Sequence, residues 1–253
     1  MDRLIYTTLS GLSVRAREQL VTANNLANAN VPGFRRDVVA QESRYLAARA
    51  DIDGAWRSRT QTGAPSLATP HQAGRVAATG RELDVALAGE AWLAVQGPVI
   101  GGDVREGYTR RGDLTVNPAG VLVNGDGRVV VNANGAPISV PPGAAVIIGK
   151  DGTITAMLPD GPQPLGKLKM VDGSSLKSRD KAADGLFLPE DQLSADPAAR
   201  LETGALESAN ITAAEALVEL VEEQRGFEVN ARLLRLAQEM DEQGSRLLGM
   251  DGK

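Results

Sequence analysis

A single histidine and no cysteine set the limits of the chemistry open to this 253-residue chain. His71 stands in Thr69-Pro70-His71-Gln72, a loop-like context with no nucleophile or acid arranged around it, and reads as an exposed loop residue rather than a general base. The lack of cysteine removes thiol nucleophiles, disulfides and sulfur-ligated zinc together, and one histidine leaves few ways to build a transition-metal site. The stretch Gly143 to Lys150 resembles a phosphate loop. However, five residues rather than four separate Gly143 from Gly149, and Asp151 follows the lysine where a hydroxyl residue should hold magnesium, so a hairpin turn is expected. Asn124-Gly125-Asp126-Gly127 starts like a calcium loop but lacks the later ligands and the closing glutamate. Asp84, Glu90, Asp103 and Glu106 supply carboxylates, whose pairing for glycoside chemistry depends on spatial separation. No catalytic, cofactor-binding or metal-binding residues are therefore assigned, and the chain is not expected to be an enzyme.

The elements that frame these residues are more informative. Ile5, Leu9, Leu12, Ala16, Gln19, Ala23 and Leu26 recur at alternating steps of four and three, the spacing of a helix that packs against another helix. Near the other end Ala213, Leu217, Leu220, Gln224, Phe227, Ala231 and Leu234 form one such seam. Val229, Leu233, Leu236, Met240 and Leu247 form a second on a different face. A helix that is apolar on two faces needs more than one neighbour. At 1.5 Å per residue the two helices would span about 36 and 55 Å, more than one small domain covers. Packing among several copies is the expected solution, with Gln19, Gln224 and Gln238 weakening any single pairing but fixing register.

A net charge of −5, without a basic block interleaved with aromatics, argues against nucleic-acid binding. Arg35-Arg36 and Arg110-Arg111 are isolated pairs, expected to be solvated or bonded to carboxylates. No run approaches a membrane span, and the amphipathic pattern starting at Arg3 does not read as a cleavable signal.

Between the helices the pattern changes twice. Residues 31–74 are polar and punctuated by glycine and proline, which reads as an extended connector with one short helix or hairpin near 37–50. Short β-prone runs then recur at Leu83–Leu87, Trp92–Gln96, Leu114–Val116, Val121–Val123, Val129–Val131, Val146–Ile148, Thr153–Leu158 and Leu165–Val171. Turn residues separate them at roughly ten-residue intervals, which argues a compact all-β domain of hairpins. With 3% aromatic residues, its core should rest on Val, Ile, Leu and Ala.

The junctions carry a signature. In Asn24-Asn25-Leu26-Ala27-Asn28-Ala29-Asn30-Val31-Pro32-Gly33-Phe34 the asparagines tolerate left-handed backbone, Pro32 expels Val31 from the α region, and Gly33 permits a sharp turn. This block, with Asn25, Asn28, Asn30, Pro32, Gly33 and Phe34 as its key residues, resembles the N-terminal signature of the bacterial flagellar axial proteins, the rod and hook family. Three further blocks agree in order. They are Leu83-Asp84-Val85-Ala86-Leu87-Ala88-Gly89 leading into Trp92-Leu93-Ala94-Val95-Gln96, then Gly107-Tyr108-Thr109-Arg110-Arg111-Gly112-Asp113-Leu114, and finally Leu206-Glu207-Ser208-Ala209-Asn210-Ile211 with Gln224-Arg225-Gly226-Phe227-Glu228. The opening Met1-Asp2-Arg3-Leu4-Ile5-Tyr6-Thr7 and Trp92-Leu93 look like those of a proximal-rod member, with a distal-rod or other axial subunit as the alternative. Gly226 departs from the pattern, costing about 1 kcal/mol of helix propensity against alanine.

The resemblance implies an α+β subunit in four parts. Residues 1–30 and 207–253 form the inner helices, packed as a coiled-coil-like pair; 31–74 form the connector and 75–206 an inserted all-β outer domain. It implies a structural piece of the drive shaft in the basal body, exported without a cleaved signal through the flagellar export apparatus. Its partners would be copies of itself and other rod proteins, with no nucleic acid, no cofactor and no membrane-spanning segment. Ile5, Leu9, Leu12, Leu26, Leu217, Leu220, Gln224, Phe227 and Leu234 are the expected assembly residues. For the second helix, Asn210 and a Thr212–Glu215 capping box are competing starts. A glycan-acting enzyme or a periplasmic binding module are the readings from other classes.

Overall fold

The computed structural model describes residues 2–40, 43–46, 59–62, 66–70 and 72–250, so His71 lies outside the described residues. The architecture is α+β, with a helix near each end and a strand-rich middle. The chain forms two compact units. One gathers Met1–Ala27, Asp37–Ala68 and Ala213–Lys253; the other gathers Asn28–Arg36 and Thr69–Thr212. Residues 31–74, expected as a connector, thus divide between the two.

In the helical unit, helix α1 spans Asp2–Ala27 and helix α2 spans Ala213–Met250, close to the stretches that the apolar periodicity marks. They lie side by side and run antiparallel, with Thr22 against Glu223, Arg15 beside Gly226 and Gly11 facing Asn230. Val14, Thr22 and Asn25 of α1 and Ala216 and Ala237 of α2 are buried there. The same unit contains the antiparallel ladder of Val38–Ala40 with Ser66–Ala68 and of Ser43–Leu46 with Arg59–Thr62, a strand arrangement where a short helix or hairpin was expected near 37–50.

In the β unit, a three-stranded antiparallel sheet has Ala91–Ile100 at its centre, flanked by Met170–Asp172 and Asp103–Thr109. A second three-stranded sheet runs in order Ala145–Ile148, Thr153–Leu158 and Gly161–Lys167. The burial of Ala145–Ile148 alternates strictly, with Val146 and Ile148 inward, as the period of two requires. Two long-range pairs close the unit: Leu201–Thr203 on Val85–Leu87, and Ala205–Glu207 on Val76–Ala78. Leu93, Val95, Leu114, Leu122, Val130, Ile138, Ile154 and Leu168 make the main core, the branched-aliphatic interior expected of a chain poor in aromatics. A second cluster forms around Trp92, Tyr108 and Phe187, where the Trp92 and Phe187 rings meet edge to face at 4.7 Å. No described helix is long and apolar enough to cross a membrane.

Candidate junction and assembly site

The residues bordering the helices are held in the β unit by a polar joint that sequence reasoning did not assemble. Residues 28–36 leave α1 through a turn in which Val31 N donates to Asn28 O and Phe34 N donates to Val31 O. Gly33 sits in the left-handed region at φ 68°, and a Cβ there would lie 2.3 Å from the Arg110 carbonyl oxygen. Only glycine satisfies both the dihedral and the approach. Gly33 N donates to the Glu207 carbonyl, and Asn210 N donates to the Phe34 carbonyl, so the segment that leads out of α1 lies on the segment that leads into α2. Phe34 is buried; Lys181 Nζ stands 4.5 Å over its ring and donates to the Arg35 carbonyl.

At the centre of the joint the Glu207 carboxylate meets two arginines. Arg35 Nη1 lies 2.6 Å from Glu207 Oε1 and Arg110 Nη2 lies 2.6 Å from Oε2, with the arginine side chains 3% exposed and the glutamate 1%. Arg110 Nε also donates to Oε2, Nη1 donates to the carbonyls of Gly89 and Ala91, and Nη2 donates to that of Leu87. Every nitrogen of that guanidinium is therefore engaged. Arg35 is less well served. Its Nη1 reaches ion-pair distance without hydrogen-bond alignment, and its Nε has no hydrogen-bond partner among the described residues. Burial accordingly pulls the Arg35 pKa below the ordinary arginine value, against the raising effect of the Glu207 charge. Glu207 Oε1 also accepts from Gly74 N, which ties in the returning connector.

Asn210 completes the joint. Its Oδ1 accepts from Arg36 N at 2.7 Å and its Nδ2 donates to the Gln72 carbonyl. Its side chain is committed to these two segments, and α2 begins at Ala213, so Asn210 does not serve as the helix cap that its position suggested. In the helical unit Asn25 does similar work: buried, it exchanges two hydrogen bonds with the Asp37 backbone and fixes the start of Val38–Ala40. Of the other junction residues, Asn30 is exposed and Pro32 half-buried.

Arg35, Arg110 and Glu207 come from three separate blocks of the sequence, and each block is matched by a family model. The family model described as "Flagella basal body rod protein" matches residues 5–35. "Flagellar hook protein FlgE/F/G D1 domain" matches 86–156, and "Flagellar basal body rod FlgEFG protein C-terminal" matches 202–247. The chain is 36% identical to the flagellar basal-body rod protein FlgF of Salmonella typhimurium, across 99% of its own length and all of that protein's. It is equally similar to FlgF of Escherichia coli, and 29% identical to the rod protein FlgG of Bacillus subtilis across 95% of this chain and 97% of the relative. The chain belongs to the flagellar basal-body rod family. It is a structural protein of the basal body rather than an enzyme.

Within this rod-family chain the expected assembly residues fall into two groups. Leu12, Leu26, Leu220, Phe227 and Leu234 are half-buried, whereas Leu9 and Leu217 are 50% and 53% exposed and Gln224 is exposed. Ile5 lies on α1, and its side chain is outside the described residues. The face of α2 turned to α1 carries Ala216, Leu220, Glu223, Phe227, Asn230, Leu234 and Ala237, rotated by about one residue from the seam read in sequence. Along the rest of α2, Val218, Val221, Val229, Leu233, Leu236 and Met240 are exposed, while Leu247 is outside the described side chains.

Two of the carboxylates considered for chemistry have structural roles. Asp84 is buried and accepts from the Thr79 hydroxyl, and Glu106 pairs with Lys169 at 2.8 Å. Glu90 and Asp103 are exposed. Asn124 Oδ1 accepts from Asp126 N and Arg128 N, which makes the calcium-like stretch a turn, and Asp126 pairs with Arg111.

Proposed function

We propose that this chain is a subunit of the proximal rod, the shaft that carries torque from motor to hook, and that it joins the shaft through its terminal helices. The observation that carries this reading is the unpartnered second face of α2, whose stripe Leu217, Val218, Val221, Val229, Leu233, Leu236 and Met240 stays in water in the single chain. Exposed apolar faces on this scale mark interaction sites. Helices from neighbouring copies and related rod subunits would cover it, extending the α1–α2 pair into a coiled-coil-like tube wall. Leu9, Leu12, Leu26, Leu220, Gln224, Phe227 and Leu234 join that stripe as assembly residues, together with Ile5. Entry to the shaft would follow passage through the flagellar export apparatus.

Leu9→Asp combined with Leu217→Asp tests this reading. Both residues are half exposed, so the isolated chain should melt close to the parent, within about 1 kcal/mol for the two substitutions together. Cells carrying the pair should be non-motile and lack rods. Motile cells with normal rods would show that the stripe does not carry assembly.

A further inference from the structure

We propose that the β units of neighbouring copies brace each other head to tail, the hairpin tip at Val99–Val104 of one copy lying on an uncharged sheet face of the next. This contact rests on the shaft reading above and names a surface which that reading does not require. Among the described residues, the β unit exposes six large apolar side chains: Val76, Val99, Val104, Val116, Ile147 and Met157. Four of them fall into two patches. Val99 and Val104 are direct cross-strand partners, 66% and 52% exposed, and the glycines between them, Gly101 and Gly102, have nothing within 4 Å of where a Cβ would stand. The tip is therefore a small apolar finger in open space.

The second patch is flat. Registered rows Ala145–Met157–Pro162 and Ile147–Thr155–Pro164 point to one side of the second sheet and lie exposed or half-exposed, with no charge among the six. Pro162 and Pro164 lie on the edge strand and withhold two ladder donors, so a neighbour is steered to the face rather than the edge. Lys167 borders the face and Asp103 flanks the finger, an opposite pair that would set which end meets which.

A finger and a flat face on the same unit are different surfaces, and a contact between different surfaces repeats from copy to copy without closing, as a filament requires. The size fits a brace rather than a dimer. Specific stable interfaces take about 20–30 residues a side, far more than these patches offer, so free chains stay monomeric and the contact forms between copies already held by their helices.

The absence of cysteine makes the test clean. Full-length chains carrying Val104→Cys with Ile147→Cys, or Val104→Cys with Met157→Cys, would be incorporated in cells, and isolated basal bodies treated with a short bismaleimide. The expected result is a ladder of cross-linked copies from either double variant and none from any single variant. Variant chain recovered in basal bodies at the parental level without a ladder from either pair would overturn the brace and leave the shaft reading standing. Dimers from Val104→Cys alone would overturn it in favour of a two-fold contact. Loss of the variants from basal bodies, with parental melting of the free chains, would refute the premise that these side chains are free to change without blocking the helices.

Discussion

Replacing Glu207 by glutamine puts the joint at most risk for the least change in shape. The carboxylate neutralises two buried guanidiniums and accepts from Gly74 N. Glutamine keeps one acceptor oxygen but turns an NH2 group toward arginine donors, so a pair of cations is left buried without the carboxylate that bridges them. Breaking a buried ion pair by removing one partner costs about 3–5 kcal/mol. For a chain of this size each kcal/mol shifts the melting midpoint by about 2–4 °C, so Glu207→Gln should lower it by roughly 6–20 °C. Differential scanning calorimetry and urea unfolding followed by circular dichroism would read the loss. Adding Arg35→Met should recover part of it, because Arg110 keeps the carbonyls of Leu87, Gly89 and Ala91 while the under-satisfied cation is gone. Such coupling between touching residues runs to about 0.5–3 kcal/mol. A fall of less than about 2 °C for Glu207→Gln, or strictly additive effects in the double variant, would refute the claim that charge compensation holds the joint.

Other outcomes follow from the helical unit. Gly226→Ala should stabilise the chain by up to about 1 kcal/mol in chemical denaturation, since an added Cβ meets only the Arg15 side chain at 3.4 Å or more; a destabilised variant would mean that Arg15 cannot shift. Asn25→Ala should cost about 1–3 kcal/mol in the same assay, as the Asp37 backbone loses both of its partners on that side chain. The carboxyl of Glu223 is raised above its ordinary pKa by burial first, with the charges of Glu18 and Glu219 adding and the Thr22 hydroxyl bond and Arg15 opposing. A raised pKa means that the folded state holds the proton more tightly. The contribution of Glu223 to stability should therefore be greatest below the ordinary carboxylate range and decline as pH rises through the raised value. That decline should be absent from this group in Glu223→Gln, as comparative melting across pH would show.

Both helices were legible because their apolar residues repeat over many turns. Which way they face was less so. Leu220, Phe227 and Leu234 belong equally to the predicted seam and to the face turned to α1, but around them Ala216, Glu223 and Asn230 are drawn inward in place of Leu217 and Gln224. A helix bearing apolar residues on two sides gives no single moment direction, and partner geometry decides the rotation. The strand runs at Thr153–Leu158 and Val146–Ile148 were read almost to the residue, since alternation is local. Val76–Ala78 and Ala205–Glu207 escaped because they are short and paired across more than a hundred positions, and the first of them is exposed along its length. The joint illustrates the same limit. Arg35 and Arg110 read as solvated or bonded to carboxylates, yet nothing near them names Glu207, and Asn210 looked like a cap because capping is the local use of an asparagine beside a helix.

The distances along the chain that the joint spans have a consequence for timing. Arg36 and Asn210 are 174 positions apart, and Thr22 and Glu223 are 201 apart. Contacts of such separation close late, after the intervening chain has been made and largely ordered. A growing chain passes through most of its synthesis with α1 unable to find its intramolecular partner and with the Phe34 segment unanchored. The last stretch to appear supplies Glu207, Asn210 and α2 together. A chain shortened to end before Glu207 would therefore lack a finished joint and not merely the second helix.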